Sequence, residues 1–206
     1  MLNPKTQDDE KGRCNHTSYG GRRHAVARWP REDPRNGFLH GGWAMAFFDD
    51  ALNHAIGEII ADEFDMLLGR RTYDIFAAYW PNRGDHPIAK AFNRATKYVV
   101  TRSLDQLDWE NSQHIRGHLA AEVRRLKASD GPALHIWGSN VLLQTLIAAE
   151  VVDEYRIWVF PLVLGEGKRL FENGVPPRGL SLVETRSTPR GVLLNTYRPA
   201  GALPKM

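Results

Sequence analysis

Strand-like and helix-like segments alternate through the middle of this chain, and this alternation constrains the fold more than any other feature. Residues 47–61 carry apolar side chains at the three-and-four spacing of an amphipathic helix. Strands separated by helices need crossover connections, so the pattern predicts a largely parallel sheet with helices on its faces. The further segments are the strands 66–68, 97–101 and 133–137 and the helices 72–79, 88–93, 118–127 and 141–149.

The last third of the sequence has a different residue pattern. Residues 152–160, 181–187 and 192–197 are rich in β-forming side chains and have no helical segment between them. The turn residues Thr188-Pro189-Arg190-Gly191 favour a tight connection between the last two strands. We therefore expect an α/β fold whose mixed, mostly parallel sheet ends in a C-terminal antiparallel hairpin.

The N-terminal segment 1–36 shows no apolar periodicity and is predicted to be irregular or disordered. It holds eight Lys/Arg and five Asp/Glu, so it carries the whole formal charge of +3. We expect one domain over 37–200, with a short tail at 201–206. A charge-neutral domain offers no basic stripe, so we expect no nucleic-acid partner.

Several other functions are disfavoured by what the chain lacks. No apolar run approaches the roughly 18 residues of a membrane span, and no secretory signal pattern precedes the domain. The single cysteine, Cys14, fits a reducing compartment, so we expect a cytoplasmic protein without a membrane partner. Cys14 and His16 are too few ligands for a metal, and the other histidines lack paired spacing, so no metal centre is predicted.

Ligands of parallel sheets bind beyond the carboxyl ends of the strands, so the residues that follow each strand carry most weight. After strand 66–68, a helix start with two cations and a hydroxyl forms a candidate phosphate site, unless this is an ordinary turn with solvated arginines. The residues concerned are Gly69, Arg70, Arg71 and Thr72. Gly69 is expected to let the backbone approach a ligand closely.

Two more strand ends show related patterns. Thr101, Arg102 and Ser103 combine a guanidinium with hydroxyls, which suits a ribose 2′-phosphate, although a plain polar loop is the alternative. The turn Gly138-Ser139-Asn140 can present backbone amides to a pyrophosphate, or simply cap the next helix. Together the three turns favour a nucleotide site without the usual glycine-rich fingerprints.

Four longer stretches of the sequence carry a resemblance: LLGRRTYDIFAAYWP, FNRATKYVVTRSL, HIWGSNVLLQTLIAAEVVDEYRIWVFPLVLGEGKRLF and LLNTYRP. They resemble the dihydrofolate-reductase-like family, and most closely the C-terminal reductase domain of the riboflavin-biosynthesis deaminase/reductase. The resemblance implies NADPH bound across the strand ends listed above, with Leu164, Gly165 and Gly167 bordering cofactor or substrate. It also implies hydride transfer to a small heterocyclic or ribosylamino-pyrimidine substrate, and a homodimer by analogy.

The resemblance places a carboxylate on the first long helix of such enzymes, where Asp49 and Asp50 stand. Either acid is a candidate proton source, but acids in a first helical turn also complement the helix dipole. Trp43, a few residues earlier, is a candidate for stacking on a flat substrate.

One departure from the family concerns the first strand. Family members begin with an apolar central strand, whereas the only candidate here, residues 24–29, is short and flanked by arginines. We therefore expect the first strand to be missing or replaced and residues 1–36 to be an atypical start. The alternative function is an NADP(H)-binding protein without turnover, because the active-site strand would be absent.

Overall fold

The computed structural model describes residues 14–19 (backbone only), 42–102, 106–164, 170–171 and 175–203. Eight strands of this part of the chain form one sheet. They are β1 Cys14–Tyr19, β2 Phe64–Gly69, β3 Lys97–Val100, β4 Ser112–Ile115, β5 Ala133–Trp137, β6 Glu154–Val159, β7 Leu180–Ser187 and β8 Leu193–Pro199.

Helices cover both faces of the sheet, as two buried apolar clusters show. One cluster contains side chains of α1, α2 and α3, and the other contains side chains of α4 and α5. No helix in the described ranges is long and apolar enough to cross a membrane. The helices are α1 Asp50–Ile59, α2 Arg70–Tyr79, α3 Pro87–Arg94, α4 Leu119–Ala128 and α5 Asn140–Ala148, with 3-10 turns at Trp43–Phe47 and Trp80–Arg83.

The strand order confirms the predicted fold class. The sheet runs β4-β3-β2-β5-β1-β6-β8-β7. The first six strands in this order are mutually parallel, and β8 and β7 add the antiparallel hairpin at one edge. All six parallel strands therefore end at the same edge of the sheet, which is called the carboxyl edge below.

The centre of the sheet corrects the expectation of a missing first strand. β1 pairs in parallel with β5, where Cys14 faces Leu134, and with β6, where Tyr19 faces Trp158. The expectation that 1–36 is irregular is thus wrong for Cys14–Tyr19, while the candidate 24–29 lies outside the described residues. The polar sequence CNHTSY does not indicate a strand, because this strand is held by backbone pairing and not by apolar side chains. Its pairing on both sides leaves neither β5 nor β6 with an unpaired edge there.

Two local details also differ from the sequence expectations. The predicted helix 47–61 is divided, because Asp49 is extended and caps α1, with its Oδ1 accepting the N–H of Leu52 at 2.8 Å. β4 was not predicted, since its four residues, SQHI, are mostly polar and form a short edge strand.

A buried lysine generates a stability prediction. The Nζ of Lys97 donates to the backbone oxygens of Phe92, Asn93 and Ala95 at 2.8–3.0 Å, and so closes the C-terminal end of α3. Lys97→Met is expected to lower the free energy of unfolding by about 2 kcal/mol or more, because these carbonyls lose their donor. Urea unfolding measures this, with Lys90→Met as the control, since Lys90 is an exposed residue of α3, the helix whose end Lys97 closes; equal effects of both would contradict the interpretation.

The same lysine should make stability depend on pH. Burial lowers the pKa of Lys97 to about 8 from 10.5. Between these values the unfolded chain holds a proton that the folded chain has released, so the contribution of Lys97 to stability grows as pH rises through this window. The difference in unfolding free energy between the wild type and Lys97→Met is therefore expected to widen from pH 7.5 to pH 10. A constant or shrinking difference would refute this.

Candidate functional site

The three predicted turns lie side by side at the carboxyl edge. β2 lies between β3 and β5 in the sheet, so the residues after Val100, Gly69 and Trp137 follow one another along this edge. Thr101 and Arg102 follow β3, Arg70 begins a helix directly after β2, and Gly138 follows β5. The sheet thus brings together turns that are separated by about a third of the chain or less in sequence.

Ser139 joins two of these turns directly. Its Oγ accepts the N–H of Gly69 at 2.9 Å and lies 3.0 Å from the Oγ1 of Thr72. Its own backbone N–H donates to the same Thr72 oxygen at 3.2 Å. Gly138 and Ser139 both have left-handed conformations, with φ of 62° and 55°, which turn the chain back towards β2. The ends of β2 and β5 are therefore one connected unit.

This unit places two helix starts next to each other. α2 begins after Gly69 and α5 begins after Ser139, and neither helix has a side-chain cap or an acid in its first turn. First-turn N–H groups have no partner within their helix and carry the positive end of the helix dipole. Two such ends side by side, free of acidic side chains, suit a doubly charged group such as a pyrophosphate.

The individual side chains differ in their exposure. Arg70 is half-buried and its Nε donates to Asp74 at 2.8 Å, and Arg71 and Arg102 are exposed. Asn140 is buried, and its Oδ1 accepts from Gln144 at 3.2 Å. Thr101 and Leu164 are half-buried, while Ser103, Gly165 and Gly167 lie outside the described residues.

Gly69 has a backbone conformation that other residues also adopt. Its backbone is extended, with φ of −72°, so the conformation itself does not require glycine. A Cβ added there would lie 3.5 Å from the Oγ of Ser139, an ordinary contact distance. The structure therefore shows Gly69 packed beside Ser139 and supplying an N–H to it.

The helix α1 also begins at the carboxyl edge, because it lies between the parallel strands β1 and β2 in the chain. Asp49 caps this helix with Oδ1, while its Oδ2 is buried and has no hydrogen-bond partner among the described residues. Asp50 is exposed in the first turn. Of the two acids, only Asp49 thus has a desolvated oxygen left over for a ligand.

Trp43, the candidate for stacking on a flat substrate, contacts another aromatic ring. Its ring packs edge-on against Phe160, with the ring centroids 5.0 Å apart. Its Nε1 is buried and has no acceptor among the described residues. The indole therefore offers a hydrogen-bond donor in addition to apolar surface.

Comparison with known proteins identifies the family. The model of the RibD C-terminal domain matches residues 39–194. The chain belongs to the RibD C-terminal domain family. Among relatives, the uncharacterized protein YyaP of Bacillus subtilis (strain 168) is 32% identical over 136 residues, which cover 64% of this chain and 72% of YyaP.

Solved structures agree with this family at the level of the fold. A protein from Shewanella sp. PV-4 named for riboflavin biosynthesis superposes with a TM-score of 0.64 at 17% identity, over 91% of this chain and 98% of its own. Dihydrofolate reductase from Enterococcus faecalis, complexed with NADP(H) and RAB-propyl, has a TM-score of 0.59 at 12% identity, over 93% and 98%. Both expectations, the family resemblance and the dihydrofolate-reductase-like fold, are thereby confirmed.

Sequence reasoning missed the residues that follow β4, because the strand itself was not predicted. The exposed Arg116 comes directly after Ile115, which pairs with Val100 at the end of β3, and the exposed His118 follows it before α4. The segment before Gly117 is short and polar. It has no alternation of apolar residues that would have marked it as a strand.

The Ser139 link is testable by stability. Ser139→Ala removes the acceptor of the Gly69 N–H and a partner of Thr72, so we expect the free energy of unfolding to fall by about 1–2 kcal/mol. Thr145→Ala on the exposed side of α5 is the control, since its hydroxyl makes only a 3.5 Å contact within the helix. Urea unfolding of both variants gives the comparison, and an unchanged midpoint for Ser139→Ala would contradict the link.

Proposed function

We propose that this protein is an NADPH-dependent reductase that transfers a hydride to a small heterocyclic or ribosylamino-pyrimidine substrate. The observation that carries the proposal is the pair of uncapped helix starts joined through Ser139 and Thr72. Membership of the RibD C-terminal domain family supports it, as does the shared fold with a dihydrofolate reductase that was solved with NADP(H).

The residues at the carboxyl edge fit such a cofactor. The first-turn N–H groups of α2 and α5 would hold the pyrophosphate, with Arg71 as a nearby exposed cation. Thr101 and Arg102, one strand further along, would hold the phosphate on the adenosine ribose. When bound, NADPH supplies a hydride for a C=N or C=O carbon of the substrate. The protein contributes position and protonation.

The start of α1 would hold the substrate. The unpartnered Oδ2 of Asp49 is an acceptor for a ring N–H and a group through which a proton can be delivered, and we assign this role to Asp49 rather than to the exposed Asp50. The Nε1 of Trp43 would donate to a ring oxygen or nitrogen. Both groups are buried, so a ligand that satisfies them gains more than it would in water.

The alternative, an NADP(H)-binding protein without turnover, was based on the absence of the central strand. β1 is present between β5 and β6, and the reason for this alternative therefore no longer holds. What now separates the two functions is whether Asp49 takes part in a reaction.

The test combines binding and turnover. NADPH binding is followed by quenching of tryptophan fluorescence, and turnover by loss of the reduced-nicotinamide absorbance with dihydropterin and ribosylamino-pyrimidine substrates. Asp49→Asn is expected to lower turnover by about 100-fold or more while leaving NADPH affinity within about twofold. Asparagine remains a good helix cap, so the fold should persist.

Asp50→Asn is the matched control and is expected to keep full turnover, because Asp50 is exposed. Failure of NADPH to bind at millimolar concentration would overturn the proposed function. NADPH binding with no turnover of any candidate substrate would favour the binding-only alternative, and full activity of Asp49→Asn would remove Asp49 from the reaction.

A further inference from the structure

The turn that joins β7 to β8 has a well-fixed base. Thr188 is buried, its backbone N–H donates to the oxygen of Val192, and its backbone oxygen accepts the N–H of Gly191, both at 2.9 Å. Its Oγ1 also accepts the N–H of Val192 at 3.3 Å, and the Val192 side chain is fully buried. Arg190 therefore extends from a turn whose position is fixed, although its own side chain is exposed.

Arg190 contacts the segment that leads into α1. Its Nη1 donates to the backbone oxygen of Ala46, which belongs to the 3-10 turn Trp43–Phe47. Ala46 comes three residues after Trp43 and three before Asp49. A hydrogen bond from a charged guanidinium is stronger than one between neutral groups. The contact thus holds the backbone midway between the two residues assigned to the substrate.

The same turn also contacts the strand end that packs on Trp43. Gly191 has a φ of 78°, and a Cβ added to it would lie 3.4 Å from the Cγ of Pro161. Pro161 follows Phe160, whose ring lies edge-on to Trp43 with the centroids 5.0 Å apart. The turn therefore supports the 3-10 turn directly through Arg190 and indirectly through Pro161 and Phe160.

The two ends of the candidate site are thus held by different contacts. Ser139 and Thr72 join the helix starts that are assigned to the cofactor. The β7–β8 turn holds the segment that carries Trp43 and Asp49. A small displacement of a reacting group can lower a rate about 100-fold, because the reacting atoms lose their alignment. Loss of the Arg190 contact should therefore affect the substrate end of the site and spare the cofactor end.

We propose that Arg190 is a positioning residue, which holds Trp43 and Asp49 in the alignment that substrate turnover requires and does not contribute to NADPH binding. It acts through the backbone of Ala46 and not by touching the substrate. This inference rests on the proposed function, because it needs the substrate to bind at the start of α1.

The experiment measures steady-state turnover of dihydropterin and ribosylamino-pyrimidine substrates by the full chain, and NADPH affinity by tryptophan fluorescence. Arg190→Ala is expected to lower kcat/KM for the substrate by about 10-fold or more, because Trp43 and Asp49 lose their alignment. NADPH affinity should stay within about twofold of the wild type. Arg190→Lys should restore most of the lost turnover, because an ammonium can also donate to the Ala46 oxygen.

Hydrogen exchange of the free protein gives a readout besides activity. In Arg190→Ala the backbone N–H groups of residues 43–53 should exchange faster, because the segment opens more often without its contact to the turn. The N–H groups of residues 140–148 in α5 should keep their wild-type exchange rates, since Ser139 and not Arg190 holds that helix start.

Arg198→Ala is the matched control. Arg198 is an exposed arginine of the same hairpin, but it lies at the end of β8 far from the turn, where its Nη2 donates to Glu154 at 3.2 Å. Its removal also takes an arginine hydrogen bond from the hairpin. We expect it to leave kcat/KM within about twofold and the exchange of residues 43–53 unchanged, because distant sites act independently.

The outcomes separate the two proposals. If the wild type turns a substrate over and Arg190→Ala does so equally well, or loses NADPH affinity in parallel, or if Arg198→Ala loses as much turnover, the role of Arg190 is overturned while the reductase proposal stands. Unchanged exchange of residues 43–53 in Arg190→Ala overturns it as well. If the wild type turns over no substrate, the reductase proposal fails, and the role of Arg190 fails with it.

Discussion

The hydrogen bonds of Ser139 to Gly69 and Thr72 are the constraint on which the rest of the candidate site depends. They join the ends of β2 and β5, two strands whose residues come from distant parts of the sequence. A left-handed serine is strained, and its hydrogen bonds to the neighbouring turn offset that strain. Because α2 and α5 start from these turns, the link also sets the spacing of the two positive helix ends.

A second set of polar contacts holds the other side of the site. The guanidinium of Arg186 on β7 binds both carboxylate oxygens of Glu58 on α1, at 2.6 and 3.2 Å, and this hydrogen bonding lowers the pKa of Glu58. Arg190 in the β7–β8 turn donates to the backbone oxygen of Ala46, in the 3-10 turn that contains Trp43. The C-terminal hairpin thus positions both Trp43 and the helix that Asp49 caps, although it is remote from the helix starts of α2 and α5.

The sequence predicts the apolar part of this fold well and the polar part poorly, for physical reasons. β5 has the predicted bounds, Ala133–Trp137, because its side chains fill both buried faces. β1 and β4 are polar, and their existence depends on backbone pairing with strands far away in sequence, which no local pattern records. The turns of the site were recognisable because glycine and hydroxyl residues follow apolar strands. Their connection through Ser139, and the commitment of Arg70 to Asp74, arise only from the three-dimensional arrangement.

The distribution of charge along the carboxyl edge also favours one orientation of a bound ligand. The first turns of α2 and α5 contain no acid, whereas α1 begins with Asp49 and Asp50. An anionic group is therefore favoured over β2 and β5 and disfavoured at α1, where a carboxylate oxygen is already desolvated. At α1 a neutral ring that donates a hydrogen bond is the better occupant. A ligand with a charged end and a neutral end is thus oriented by the helix starts before any specific side chain contacts it, since the two ends are favoured at different helix starts of the described edge.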